Sequence, residues 1–114
     1  MFVFLIHDNE LLGLALEKVA KKRGEPFYRM PSLAESLFLI QDLSPDVVVM
    51  ASSAAPPDFD WPQALRDCPR LSEIPLVGLG SGPRVEGARY AGVIPLPIDP
   101  INFHRQIAGL IGQT

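Results

Sequence analysis

The run Pro45-Asp46-Val47-Val48-Val49-Met50-Ala51 decides how the rest of the chain is read. After the proline and one acid, large apolar residues follow each other with no polar alternation, and most are β-branched. Such a run fits a short strand buried on both faces, the central position of a parallel sheet. In open parallel sheets, ligands and chemistry gather just beyond the carboxyl ends of the strands. Here that position is Ala51, whose methyl group has nothing to react with.

Working outward toward the N-terminus, Phe2 to Ile6 reads as a first buried strand. Asp8 or Asn9 then caps a helix running to about Arg23, with Leu12, Ala15, Leu16, Val19 and Ala20 on one face. Glu17 and Lys21 stand at the favourable four-residue spacing, and Gly24 stops the helix. Lys18, Lys21, Lys22 and Arg23 crowd its last turn, where the helix dipole welcomes cations, so they read as a solvated end and not an anion site. Pro26 to Met30 is polar enough for an edge strand. Ser32 and Glu35 have capping-box spacing, and the helix they open ends before Pro45. Leu33, Leu37 and Ile40 centre its core face. Phe38 and Leu39 flank that face and read as the margin of a wide apolar stripe, with a contact site as the other reading.

Toward the C-terminus, Pro57-Asp58-Phe59-Asp60-Trp61 turns into a short helix capped by Asp60, which carries Ala64, Leu65 and Cys68 and stops at Pro69. Ile74 to Leu79 is a fourth strand, ending in Gly80-Ser81-Gly82-Pro83. Arg84 to Ala91 is a compact segment with room for about two turns of helix at most. It leads to a fifth strand over Val93 to Leu96. Asp99-Pro100 then has the cap and first-turn proline of a final helix, with Phe103, Ile107, Leu110 and Ile111 as its buried face. Strands alternating with helices in this way make an α/β sheet that is parallel and covered on both sides.

The 114 residues suffice for one core and predict a single domain over 1–114. A net charge of −3 gives no general attraction to nucleic acid or to anionic membranes. The single cysteine, Cys68, excludes an internal disulfide and fits the reducing cytoplasm. The apolar start Met1 to Ile6 is too short to span a membrane and lacks the marks of a signal peptide.

Four separated stretches together resemble a response-regulator receiver domain, the phosphoacceptor module of two-component signalling, over essentially the whole chain. Val3-Phe4-Leu5-Ile6-His7-Asp8-Asn9-Glu10 is similar to the first strand with its acidic pair. Pro45 to Ala51, with Pro57 and Asp60 after it, is similar to the phosphoacceptor strand and its loop. Pro69-Arg70-Leu71-Ser72-Glu73-Ile74-Pro75-Leu76-Val77 resembles the approach to the fourth strand, and Ala91-Gly92-Val93-Ile94-Pro95-Leu96-Pro97 the fifth strand with its closing lysine-proline. The resemblance implies a CheY-like, flavodoxin-like, doubly wound five-stranded sheet in the order 2-1-3-4-5, here with a shortened fourth helix. It also implies a cis peptide at Leu96-Pro97.

Laid on that family, the residues of the phosphorylation pocket are mostly exchanged. The acidic pair that holds magnesium becomes His7-Asp8, and the phosphoacceptor becomes Ala51. The hydroxyl after the fourth strand becomes Gly80, with Ser81 one residue late, and the lysine becomes Leu96. Magnesium needs hard oxygen ligands, and phosphoryl transfer needs a nucleophile and a cation against the developing charge. Ala51 and Leu96 supply neither. Ser52 and Ser53 have no general base at triad-like spacing, and His7, Asp8 and Asp58 make a poor zinc set. No enzymatic activity, cofactor or metal is therefore expected.

The leading reading is a degenerate pseudo-receiver of a bacterial pathway, working without phosphorylation through a protein partner, an attached output domain or a second copy. The alternative is a small-ligand sensor with a pocket formed by His7, Asp8, Ser52, Ser53 and Gly80. By resemblance the fifth strand is a sheet edge, with Ile94 and Leu96 pairing inward and Pro95 and Pro97 blocking strand addition. Contacts are then expected through side chains across Arg84 to Tyr90 and on the outer face of the last helix, at His104 and Arg105.

Overall fold

Val47 to Ala51 form a strand buried along its whole length, as the unbroken apolar run requires. Around it the computed structural model describes residues 1–7, 9–51, 60–80 and 89–112. The elements in chain order are β1 (Val3–Ile6), α1 (Glu10–Lys22), β2 (Phe27–Met30), α2 (Leu33–Leu43) and β3 (Val47–Ala51). They continue with α3 (Trp61–Asp67), a 3-10 turn (Pro69–Ser72), β4 (Leu76–Leu79), β5 (Tyr90–Ile94) and α4 (Phe103–Ile111). The five strands pair in parallel in the order β2-β1-β3-β4-β5. This is the flavodoxin-like architecture that the sequence predicts.

Strand alternation divides the core into two layers. Phe4, Ile6, Val48, Met50 and Leu76 pack with Leu33, Ile40 and Ala64 beneath α2 and α3. Val3, Leu5, Val47, Val49, Val77 and Leu79 pack with Leu16, Phe103 and Ile107 beneath α1 and α4. Cys68 sits in the first layer, and burial pushes its thiol up, so it remains protonated and unreactive.

The helix starts follow local chemistry. The Asn9 side chain accepts from the Leu12 amide at 3.1 Å, which resolves the choice of cap for α1. Asp60 caps α3 through the Gln63 amide at 3.0 Å. Ser32 accepts from the Glu35 amide, but the Glu35 carboxylate returns to the serine hydroxyl and not to its backbone, so the box is half made. Phe38 is 79% exposed, while Leu39 is half-buried against the core.

Three boundaries differ from the sequence reading. β4 begins at Leu76, because the 3-10 turn and Pro75 occupy the approach. β5 runs from Tyr90 to Ile94, not from Val93 to Leu96. Its pairing with β4 skips from Leu76↔Tyr90 to Val77↔Gly92, a bulge whose extra residue obscures the strand pattern. Gly92 takes φ 154° there, and the Leu110 side chain would lie 2.7 Å from a β-carbon at that place. Finally, α4 starts at Phe103, and Asp99 instead closes the preceding turn, accepting from the Ile101 amide at 3.0 Å. The crossover from β4 to β5 takes ten residues, 80–89, and the shortened helix expected within it lies outside the described residues.

Candidate functional site

The carboxyl ends of β1, β3 and β4 meet at the expected place. Ile6 is level with Met50, so His7 stands level with Ala51, and Ala51 is paired with Leu79, one residue before Gly80. Ala51 is 6% exposed and belongs to the apolar layer beneath α1 and α4. Its methyl group extends the core to the rim of the sheet.

His7 does local work. Its backbone amide bonds the Met30 carbonyl at 3.0 Å, and its Nδ1 accepts from the Asn9 amide at 2.8 Å. The ring thereby fixes the turn that delivers Asn9 to the start of α1. Gly80 adopts φ 75°, and its amide donates to the Ile94 carbonyl at 2.8 Å. Leu96 lies across it, with Cδ1 3.2 Å from where a β-carbon on Gly80 would be. The Leu96-Pro97 peptide is cis, as the resemblance implies. A leucine side chain therefore lies against the backbone just beyond the end of β4. Among the described residues no group of three or more His, Cys, Asp or Glu could hold a metal ion. Asp8, Ser52, Ser53, Ser81 and Arg84 lie outside the described residues.

Beside this apolar rim, a cavity of about 300 Å³ opens between β1, β2 and the first turn of α1. His7, Glu10, Gly13, Arg29 and Met30 line it, and Gly80 does not. The cavity therefore lies further toward β2 than a pocket joining His7 to Gly80. Arg29 crosses α1 at Gly13, where a β-carbon would meet its Cδ at 3.1 Å, and its Nε lies 3.4 Å from Glu17 Oε2. A mid-helix glycine costs about 1 kcal/mol relative to alanine, and here it clears the path for the arginine stem.

The expected contact face needs correction. Tyr90 is half-buried within β5 and packs against the layer beneath α2 and α3. His104 is 2% exposed and faces inward, because it shares the helical face of Ile107 and Ile111. That three- and seven-residue spacing was the signal the sequence reading missed. Its Nε2 lies 3.3 Å from Glu25 Oε2, and burial is the main cause lowering its pKa, with Glu25 opposing. Arg89 and Arg105 are the described members of that face that are exposed as expected. Pro95 and Pro97 stand just past the end of β5, and Leu96 makes no ladder pair, although the Ile94 carbonyl does face β4.

No known family profile matches the sequence, and no curated protein matches it. Solved structures do. A protein from Chloroflexus aurantiacus J-10-fl assigned as a response regulator superposes with a TM-score of 0.73 at 17% identity, covering 98% of each chain. The chemotaxis response regulator CheY4 of Vibrio cholerae gives 0.71 at 14% identity, over 95% of this chain and 96% of that one. The pseudo-receiver domain of the CikA protein gives 0.59 at 18% identity, over 96% of both. At such identities the likeness is one of fold: the chain has the CheY-like architecture of response-regulator receiver domains.

Proposed function

We propose that the chain is a single receiver-like signalling module, spanning 1–114, that does not accept phosphate and acts by protein contact in a two-component-type pathway of the bacterial cytoplasm. The observation that carries this reading is Ala51, which ends the central strand as part of the hydrocarbon core. Leu96, lying on Gly80, extends that hydrocarbon to the fifth strand. Neither residue offers a nucleophile or a cation, so neither position can serve phosphoryl transfer. The likeness to the CikA pseudo-receiver supports a receiver fold used in this way. The partner is a protein, an attached output domain or a second copy, docking by side chains such as the exposed Arg105 at one end of the sheet and the exposed Leu96 at the other. The test is incubation with a small-molecule phosphodonor and magnesium, followed by intact mass. The mass is expected to stay unchanged. A stoichiometric, base-labile gain of one phosphoryl group would refute the reading.

The cavity beside His7 favours a second reading, a small-ligand sensor. Its volume of about 300 Å³ lies at the lower end of small-molecule sites. A thermal-shift screen with nucleotides and metal ions separates the two, because a ligand of the folded state must raise the melting temperature.

A further inference from the structure

At the opposite end of the sheet, where the strands begin, a second cavity of about 390 Å³ lies between the end of α1 and the start of α4. Arg23, Glu25, Ile101, His104, Arg105 and Ala108 line it. The His104 side chain is 1% exposed, and neither ring nitrogen has a hydrogen bond among the described residues. Glu25 Oε2 stands 3.3 Å from Nε2, but out of line for a hydrogen bond. Buried polar nitrogens without a partner make the ring sensitive to any charge placed beside it.

The charges around the cavity say what kind. Arg23 Nε is held 3.2 Å from Glu25 Oε2, which leaves the outer nitrogens of its guanidinium to other partners. Arg105 is exposed and makes no ion pair among the described residues. The Met1 amino group approaches Glu25 at 3.8 Å, so the single carboxylate already answers several cations. Two guanidiniums against one acid leave an excess of positive charge, and a planar fork suits a two-oxygen anion. The volume exceeds what one water or a bare inorganic ion fills. Ile101, 75% exposed, and Ala108 give the same cavity an apolar wall.

We infer that this cavity is a binding site for a small organic oxyanion, held by Arg105 and Arg23 beside the buried His104 ring, with its apolar part against Ile101 and Ala108. The site shares no lining residue with the cavity beside His7, and it does not depend on whether the chain accepts phosphate.

The experiment follows the His104 ring resonances of the labelled protein by NMR during titration with benzoate, acetate or inorganic phosphate. Sodium chloride at matched ionic strength is the control. Benzoate is expected to shift the ring signals saturably, with a dissociation constant on the order of 1 mM for a ligand of this size. Acetate should bind several-fold more weakly because it lacks the apolar part. Arg105→Ala, at an exposed position that leaves the fold intact, should weaken benzoate binding at least about tenfold. Saturable binding by phosphate but not benzoate would overturn the organic part of the proposal. An equal shift with chloride, no saturation with any anion, or an unchanged constant in Arg105→Ala would overturn the site itself.

Discussion

Among the described residues, the two ends of the sheet invert the usual distribution of polar groups in this architecture. At the carboxyl ends, where parallel sheets concentrate their reactive groups, Ala51 continues the core and Leu96 covers Gly80. At the amino ends, Glu25, Arg23 and a buried His104 form a charged cluster around a cavity. Topology determines where strand ends meet, but side chains determine whether anything can happen there. A fold shared with receivers therefore says little about function until the ends are compared residue by residue.

The largest effect expected from testing this contrast is at Ala51. Ala51→Asp places a carboxylate at a position 6% exposed within an apolar layer. A charge without a partner in such a place is expensive, so the variant should lose about 3 kcal/mol in urea unfolding. A loss below about 1 kcal/mol would show that the rim is wetter than its packing indicates, and the contrast between the ends would weaken.

The next effect belongs to the other end. Burial lowers the His104 pKa below that of an unfolded histidine, with Arg23 and the Met1 amino group adding to the effect and Glu25 opposing it. The unfolded chain therefore binds more protons in this range than the folded one. The contribution is complete above the unfolded value near 6.5 and is lost as pH falls toward the folded pKa. As pH falls below about 7 stability should decline, by no more than about 1.4 kcal/mol per pH unit. His104→Gln should flatten this part of the profile. A wild-type profile no steeper than that of the variant would mean that His104 takes up its proton without cost, and the charged cluster would not be buried in the sense described.

The sequence revealed the fold where patterns are local. The β3 run, the Asn9 and Asp60 caps and the alternation of strands and helices all follow from neighbouring residues. Legibility ended where one residue answers to another far along the chain. Gly92 blurred β5 because it serves a bulge and the approach of Leu110, neither visible in a window of ten residues. The apolar end of the central strand was readable from Ala51, since burial and chemistry coincide in that one residue. The cavity beside His7 was not readable, because it depends on Arg29 of β2 passing Gly13 of α1. Nor was the Glu25–His104 pair, which joins the loop after α1 to the start of α4.

The smallest effect, and the sharpest probe of the carboxyl end, is at Leu96. This residue is 64% exposed and touches Gly80 through its side-chain tip. Leu96→Lys keeps an apolar stem over Gly80 and sends the ammonium into water, so stability should change by no more than about 0.5 kcal/mol. The single variant should gain no phosphate acceptance, because a cation without a carboxylate nucleophile has nothing to stabilise. Its value lies in combination with Ala51→Asp. Leu79 is paired with Ala51 and leads directly into Gly80, on which residue 96 rests, so a lysine there can swing toward the new carboxylate. The double variant should then recover about 1 kcal/mol of the loss caused by the aspartate alone, read as the coupling in a double-mutant cycle of urea unfolding. A coupling of zero would place Leu96 out of reach of Ala51, and the two apolar substitutions would then be independent and not two halves of one inert pocket.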